Sequence, residues 1–316
     1  MRKAALRTIV SAILLLAVST VAGAAGFHKV SEHFYYLESK TGGANTSAIV
    51  TQEGVVLIDP PQELEMPAML NALKAVTSHP VRWVISTDYQ QERSGGTATL
   101  LKLGAAIIGS KELDRLAAFA PIEDPAQIPA VPQALPNPRF LFTQLLHLFP
   151  SGIEVRVLAV KAKARTAGDV VVFLPSEKVL EVGDFITFGS FPIIDSGPGE
   201  GSASGWIDAL KQVVEFVPLL KSAMPQAKPE AGAQPESEKT LEEMVTVVPG
   251  HGVPGNLQQV KALLAISQKL HAEATRAVDA GRTREEFMKS LPSDIFGAYG
   301  NLEAFAGQLF DELSKK

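Results

Sequence analysis

Short runs of β-branched and aromatic residues alternate along this chain with segments whose apolar residues recur every three or four positions, and that alternation restricts the fold more than any other feature. FHKVSEHFYYLES and NTSAIVTQEGVVLIDP read as short strands with Gly-containing turns between them, and VRWVIST and AAIIGS follow as further strands. Among them, residues 64–76 place Leu64, Met69, Leu70, Leu73 and Val76 at helical spacing, while GGTATLLKLG and KELDRLAAFA start two more helices. GIEVRVLAV, DVVVFLP, KVLEVGD and EMVTVVPG continue the strand series, with the helix SGWIDALKQVVEFVPLL between the last two. Strands alternating with helices build layered α/β cores, because each sheet must bury an apolar face against another element. At 316 residues and 46% hydrophobic, the chain is long enough to bury such a core.

The flanking and intervening segments read differently. Residues 1–24 carry a basic start (Arg2, Lys3, Arg7), an apolar run over positions 8–21 and the small residues Ala22, Gly23 and Ala24. That is the build of a cleaved secretory signal. The run is shorter than the roughly 20 residues of a spanning helix, so a periplasmic or secreted protein with no stable membrane span after cleavage is expected. Prolines at 121, 125, 129, 132, 136 and 138 predict an irregular surface loop over 121–138. Residues 222–240 are poor in apolar side chains and predict a disordered insertion. Residues 257–316 are helical in pattern, broken near Gly281 and Pro292. The expected organisation is a leader (1–24), one main domain (25–260) and a helical C-terminal extension (261–316). A net charge of −5 gives no reason to expect nucleic acid, and the absence of cysteine removes disulfides, thiolate metal sites and thiol nucleophiles.

Polar and charged residues gather at the strand ends: VVLIDP (Asp59), ISTDYQQERSGG (Asp88, Gln90, Glu92, Arg93), ARTAGD (Arg165, Asp169), LEVGD (Asp184) and VVPGHG (His251). In order and spacing, over about residues 27–260, these landmarks resemble the metallo-β-lactamase-fold superfamily. The resemblance implies an α/β fold, an αββα four-layer sandwich with its site at one edge of two sheets, followed by a helical tail. In that family a strand ends in T-H-x-H-x-D-H-x-G-G, a later G-H-T precedes G-D, an aspartate bridges two metals and P-G-H-G supplies the last histidine. Those ligands hold two zinc ions that activate hydroxide for hydrolysis.

Position by position, this chain departs from that pattern. The first motif's histidines become Asp88, Gln90 and Arg93, its aspartate becomes Glu92, and the histidine of G-H-T becomes Arg165. Asp184 and His251 keep the family's residue types, as do the scaffold residues Thr87, Gly95, Gly96, Thr166, Gly168, Asp169, Gly183, Pro249, Gly250 and Gly252. A guanidinium has no lone pair to give a metal and stays charged. Arg93 and Arg165 are therefore expected to neutralise Asp88, Glu92 and Asp184 in place of the metals, leaving a non-catalytic binding protein without a cofactor and with affinity for an anionic small molecule. Two alternatives stand beside this. Asp88, Glu92, Asp184 and His251 form an oxygen-rich set for one Zn²⁺, Mn²⁺ or Mg²⁺, giving a hydrolase of lactam, ester or thioester carbonyls. A structural or assembly role would use the proline loop or the tail. No Gly-x-Ser-x-Gly elbow supports serine catalysis.

Simpler readings apply residue by residue. Asp184 is able to bind loop amides, His251 to brace its turn, Asp59 to order the neighbouring loop and Asp169 to cap a turn. Tyr89 either lines the mouth or covers the core, and the histidines at 28, 33, 79, 147 and 271 match no ligand spacing.

Overall fold

The computed structural model describes residues 26–39, 43–117, 139–219 and 241–315. The leader at 1–24, the proline-rich loop at 121–138 and the insertion at 222–240 lie outside the described residues.

Two sheets form the centre. The first has seven strands in chain order: β1 His28–Lys29, β2 Phe34–Leu37, β3 Thr46–Thr51, β4 Gly54–Ile58, β5 Val81–Ile85, β6 Ala106–Ser110 and β7 Arg139–Phe142. β1–β4 are antiparallel hairpin neighbours, whereas β4, β5, β6 and β7 pair in parallel. The second sheet has six strands: β8 Leu145–Leu148, β9 Val155–Ala159, β10 Val170–Leu174, β11 Val179–Gly183, β12 Thr246–Pro249 and β13 Gly255–Asn256. Its one parallel pair is β11 with β12.

Period-two alternation sorts the side chains into layers. Val56 and Ile58 of β4, Ile85 of β5, and Val170, Val172 and Leu174 of β10 meet in the core between the sheets. Val55 and Leu57 turn the other way, onto α1 (Met66–Lys74) and α3 (Thr97–Lys102). Phe173, Leu180 and Val182 of the second sheet face α5 (Ala203–Leu219) and the C-terminal helices. The result is the expected αββα sandwich.

Helix ends follow local chemistry. The helix expected at 64–76 begins as a 3₁₀ turn, Glu63–Glu65, and becomes α-helical only at Met66, where Pro67 sits in the first turn with its missing N–H harmless. Leu64 consequently lies outside the helix and is 92% exposed, while Met66, Met69 and Leu73 form the buried face. Short helices α2 (Gln91–Ser94), α4 (Lys111–Ala117) and α6 (Leu241–Met244) fill connections. The tail starts with α7 (Leu257–Asp279), opened by a reciprocal capping box between Asn256 and Gln259. The chain breaks at Gly281, whose φ is +68°, and again at Pro292, separating α8 (Arg284–Ser290), α9 (Ser293–Phe296) and α10 (Leu302–Leu313). Val260 and Leu270 of α7 and Phe305 and Leu309 of α10 share one core with Trp206 and Val247. Position 260, the expected domain boundary, falls inside α7. Among the described residues no helix is long and apolar enough to cross a membrane.

Candidate functional site

Because β4 runs parallel to β5 and β11 parallel to β12, the C-terminal ends of all four open at one edge of the sandwich. The chain delivers Asp59 after β4, Asp88 after β5, Asp184 after β11 and His251 after β12, and Arg165 joins them from the β9–β10 connection.

Asp59 adopts the left-handed backbone (φ +54°), a region that aspartate tolerates better than most residues. Its carboxylate accepts the Thr87 N–H (2.6 Å) and the Thr87 hydroxyl (2.7 Å), which ties the end of β4 to the loop after β5. It orders that loop as expected, and it also faces Arg93.

Arg93 is the centre of the cluster and is fully buried. One terminal nitrogen, Nη2, ion-pairs with Asp184 Oδ1 and lies 3.3 Å from His251 Nε2. Nη1 is 3.5 Å from Asp59 Oδ2, and Nε is 3.7 Å from Asp88 Oδ2 without a hydrogen-bond acceptor of its own. Arg165, 7% exposed, donates from Nη1 to Asp88 Oδ2 (2.6 Å), binds the Gln90 side-chain carbonyl and reaches Asp184 Oδ2 at 3.3 Å. Asp88 and Asp184 thus each face both guanidiniums, in a ring of alternating charge. Two glycines make room for it. A Cβ on Gly250 would stand 2.5 Å from Asp184 Oδ1 and 2.6 Å from Arg93 Nη2, and one on Gly183 would meet Thr87 Oγ1 at 2.0 Å.

Burial and charge pull the acids in opposite directions. Burial raises Asp59 to about 7 against the pull of Arg93 and the Thr87 bonds. Burial likewise raises Asp88, although Arg165 and Arg93 lower it. At Asp184 burial is outweighed by the His251 hydrogen bond and both arginines, so its carboxyl lies well below the usual range. His251 is raised, chiefly by its bond to Asp184 (3.2 Å). The three acids hold Arg93 firmly charged despite its burial.

The sequence-expected residues divide into groups. Asp88, Gln90, Arg93, Arg165, Asp184 and His251 come together as described. Glu92 stands apart from the ring, on its outer side: ligand atoms of Glu92, Asp184 and His251 lie within 4.8 Å of one another. Asp88, expected beside them as a fourth metal ligand, is absent from that group because it turns inward to Arg165. Asp169 caps its turn through Thr166 (2.9 Å to N–H, 2.7 Å to hydroxyl). Tyr89 covers the core: it is buried, and its hydroxyl hydrogen-bonds Asp195. The ion pair of Asp59 with Arg93 was not anticipated, and neither was Glu181. That residue points between the sheets, accepts the Ser47 hydroxyl and the Gly183 N–H, and is raised to about 8 by burial and by Asp59. Its signal in the sequence was a lone acid inside the apolar run of β11.

No protein-family model matches the sequence, and no curated protein matches it. In three dimensions the chain is similar to a metallo-beta-lactamase from Pontibacter korlensis (19% identity, TM-score 0.57), covering 77% of this chain and 98% of that one. It is similar also to DIM-1 metallo-beta-lactamase (16% identity, TM-score 0.54; 77% and 96%). The stereoselective inverting sec-alkylsulfatase Pisa1 from Pseudomonas sp. superposes over 91% of this chain (15% identity, TM-score 0.67), and the chain spans only 50% of that enzyme. At these identities the likeness establishes the fold, which is the metallo-β-lactamase fold.

Proposed function

We propose that this chain is a binding protein built on a hydrolase scaffold, in which an arginine–carboxylate ring stands where the fold's relatives hold two metals. The observation that carries this reading is the place of Arg93. Its Nη2 touches Asp184 Oδ1 and His251 Nε2, the two atoms that would have to converge on an ion at that edge. Arg165 holds the other oxygen of Asp184 and binds Asp88. Neither guanidinium has a lone pair for a metal, and both supply the positive charge that the buried carboxylates require. These residues do not fit a binuclear zinc centre.

The ring also bears on the ligand. Arg165 uses both terminal nitrogens on Asp88, Gln90 and Asp184, and Arg93 is sealed from solvent. An anion would have to displace a carboxylate to reach either. The binding surface of this reading is therefore the rim, where Gln90, Glu92 and the half-buried His251 meet solvent. The leader pattern at 1–24 supports a mature protein in the periplasm or outside the cell, which N-terminal sequencing of the exported protein would check.

A second reading, a single-metal hydrolase of lactam, ester or thioester carbonyls, is favoured by the convergence of Glu92, Asp184 and His251. One oxygen-preferring ion with a histidine ligand suits Zn²⁺ or Mn²⁺, and Mg²⁺ less well. It requires Arg93 to release Asp184. Calorimetric titration with zinc at neutral pH, paired with nitrocefin and aryl-ester hydrolysis, separates the two. The binding-protein reading expects no saturable zinc uptake and no turnover. One tight equivalent with metal-dependent turnover establishes the second reading, and two equivalents overturn the first outright.

A further inference from the structure

The second sheet is wider than the helix layer over it. α5 and the tail helices bury the face of β10–β12, while among the described residues the same face of β8 and β9 is only partly covered. Leu145, Leu158 and Val171 form one cross-strand row there, and Leu145 remains 43% exposed. Together with Leu180 and with Ala209 and Val213 of α5, this row lines an open pocket of about 420 Å³. That volume falls in the roughly 300–1,000 Å³ range of small-molecule sites, and the mostly apolar lining is also typical of them. The cavity lies on the helix side of the sheet, apart from the ion ring.

Its mouth is polar and electrically unbalanced. Lys161 and Glu215 stand at the rim with Gln144 and Gln212. Glu215 already faces Lys211 at 3.8 Å on the same helix, whereas Lys161 makes no ion pair among the described residues. An apolar slot with a lysine at its mouth that has no ion-pair partner among the described residues suits a molecule with an apolar tail and an anionic head.

We propose that this cavity binds a fatty carboxylate, with its alkyl tail along the Leu145–Leu158–Val171 row and its carboxylate on Lys161. This goes beyond the reading of the ion ring and does not depend on it. The test is calorimetric titration of the full chain with decanoate below its micelle-forming concentration, with decyltrimethylammonium as the same tail on the opposite charge. The expected result is one decanoate per chain, bound more tightly than the cation. K161E, a change at an exposed side chain, should weaken decanoate about tenfold, since it replaces attraction by repulsion, and should reverse the preference between the heads. V213W should fill the cavity and remove binding; if it does not fold, K161E decides alone. Absence of saturable decanoate binding, equal binding of both heads, an unchanged K161E, or a folded V213W that still binds would each overturn the proposal.

Discussion

Replacing Arg93 with methionine keeps most of the side-chain volume and removes the cation that three buried acids share. At separations of 3.5 Å to Asp59 and 3.7 Å to Asp88, each attraction is about 4–5 kcal/mol at an effective dielectric near 20. The contact with Asp184 is closer still. Most of that gross attraction offsets the cost of burying the guanidinium itself, and breaking one partner of a buried ionic cluster typically leaves a net loss of about 3–5 kcal/mol. For a chain of this size, that corresponds to a fall in melting temperature of roughly 4–8 °C. The loss should depend on pH with a definite sign. Without Arg93, Asp59 and Asp88 rise further and hold protons in the folded state that they release on unfolding. The unfolded values are common to both proteins and cancel, so stability of the variant relative to wild type drops as pH climbs through the wild-type folded values, of which Asp59 is about 7, towards the higher values of the variant. Calorimetric melts of R93M and wild type between pH 5 and pH 8 test this. K289M, at the exposed Lys289–Glu285 pair, serves as a control that should melt like wild type. An R93M melt within a degree or two of wild type at neutral pH, or a deficit that shrinks as pH rises, would refute the reasoning.

Two further outcomes follow from the same electrostatics. Glu181 is raised to about 8, so it keeps its proton in the fold and wild-type stability falls as pH rises from about 4.5 to 8; in E181Q that fall should flatten, and urea unfolding across the window reads it. His251 is raised mainly by its hydrogen bond to Asp184; in D184N its imidazole should titrate at lower pH than in wild type, measured by proton–carbon NMR, and an unmoved titration would deny the bond.

The layered fold was readable because most strands are short runs of β-branched and aromatic residues bounded by turns, and because the loop glycines sit where close contacts forbid a side chain, as at Gly250 and Gly183. β7 and β8 were not readable. Each is four residues long and is defined by pairing with β6 and β9 rather than by its own composition. In the site, the coincidence of two arginines with Asp88 and Asp184 was visible as residue types in order. What the order did not reveal was direction. Asp88 turns inward to Arg165 and Glu92 stays outside the ring, a division set by the path of the loop over residues 86–96. Glu181 was hidden for a related reason: in KVLEVGD a single acid reads as solvent-facing, and only its register beside Val172 turns it between the sheets.

The central claim is that Arg93 and Arg165 take the place of metal ions among these carboxylates. X-ray diffraction at the zinc absorption edge, from crystals of native protein grown with excess zinc, examines it most directly. The account predicts no anomalous peak between Asp184 and His251, with the Arg93 guanidinium in density there. A fully occupied pair of peaks bridged by Asp184, with Arg93 displaced, would contradict it.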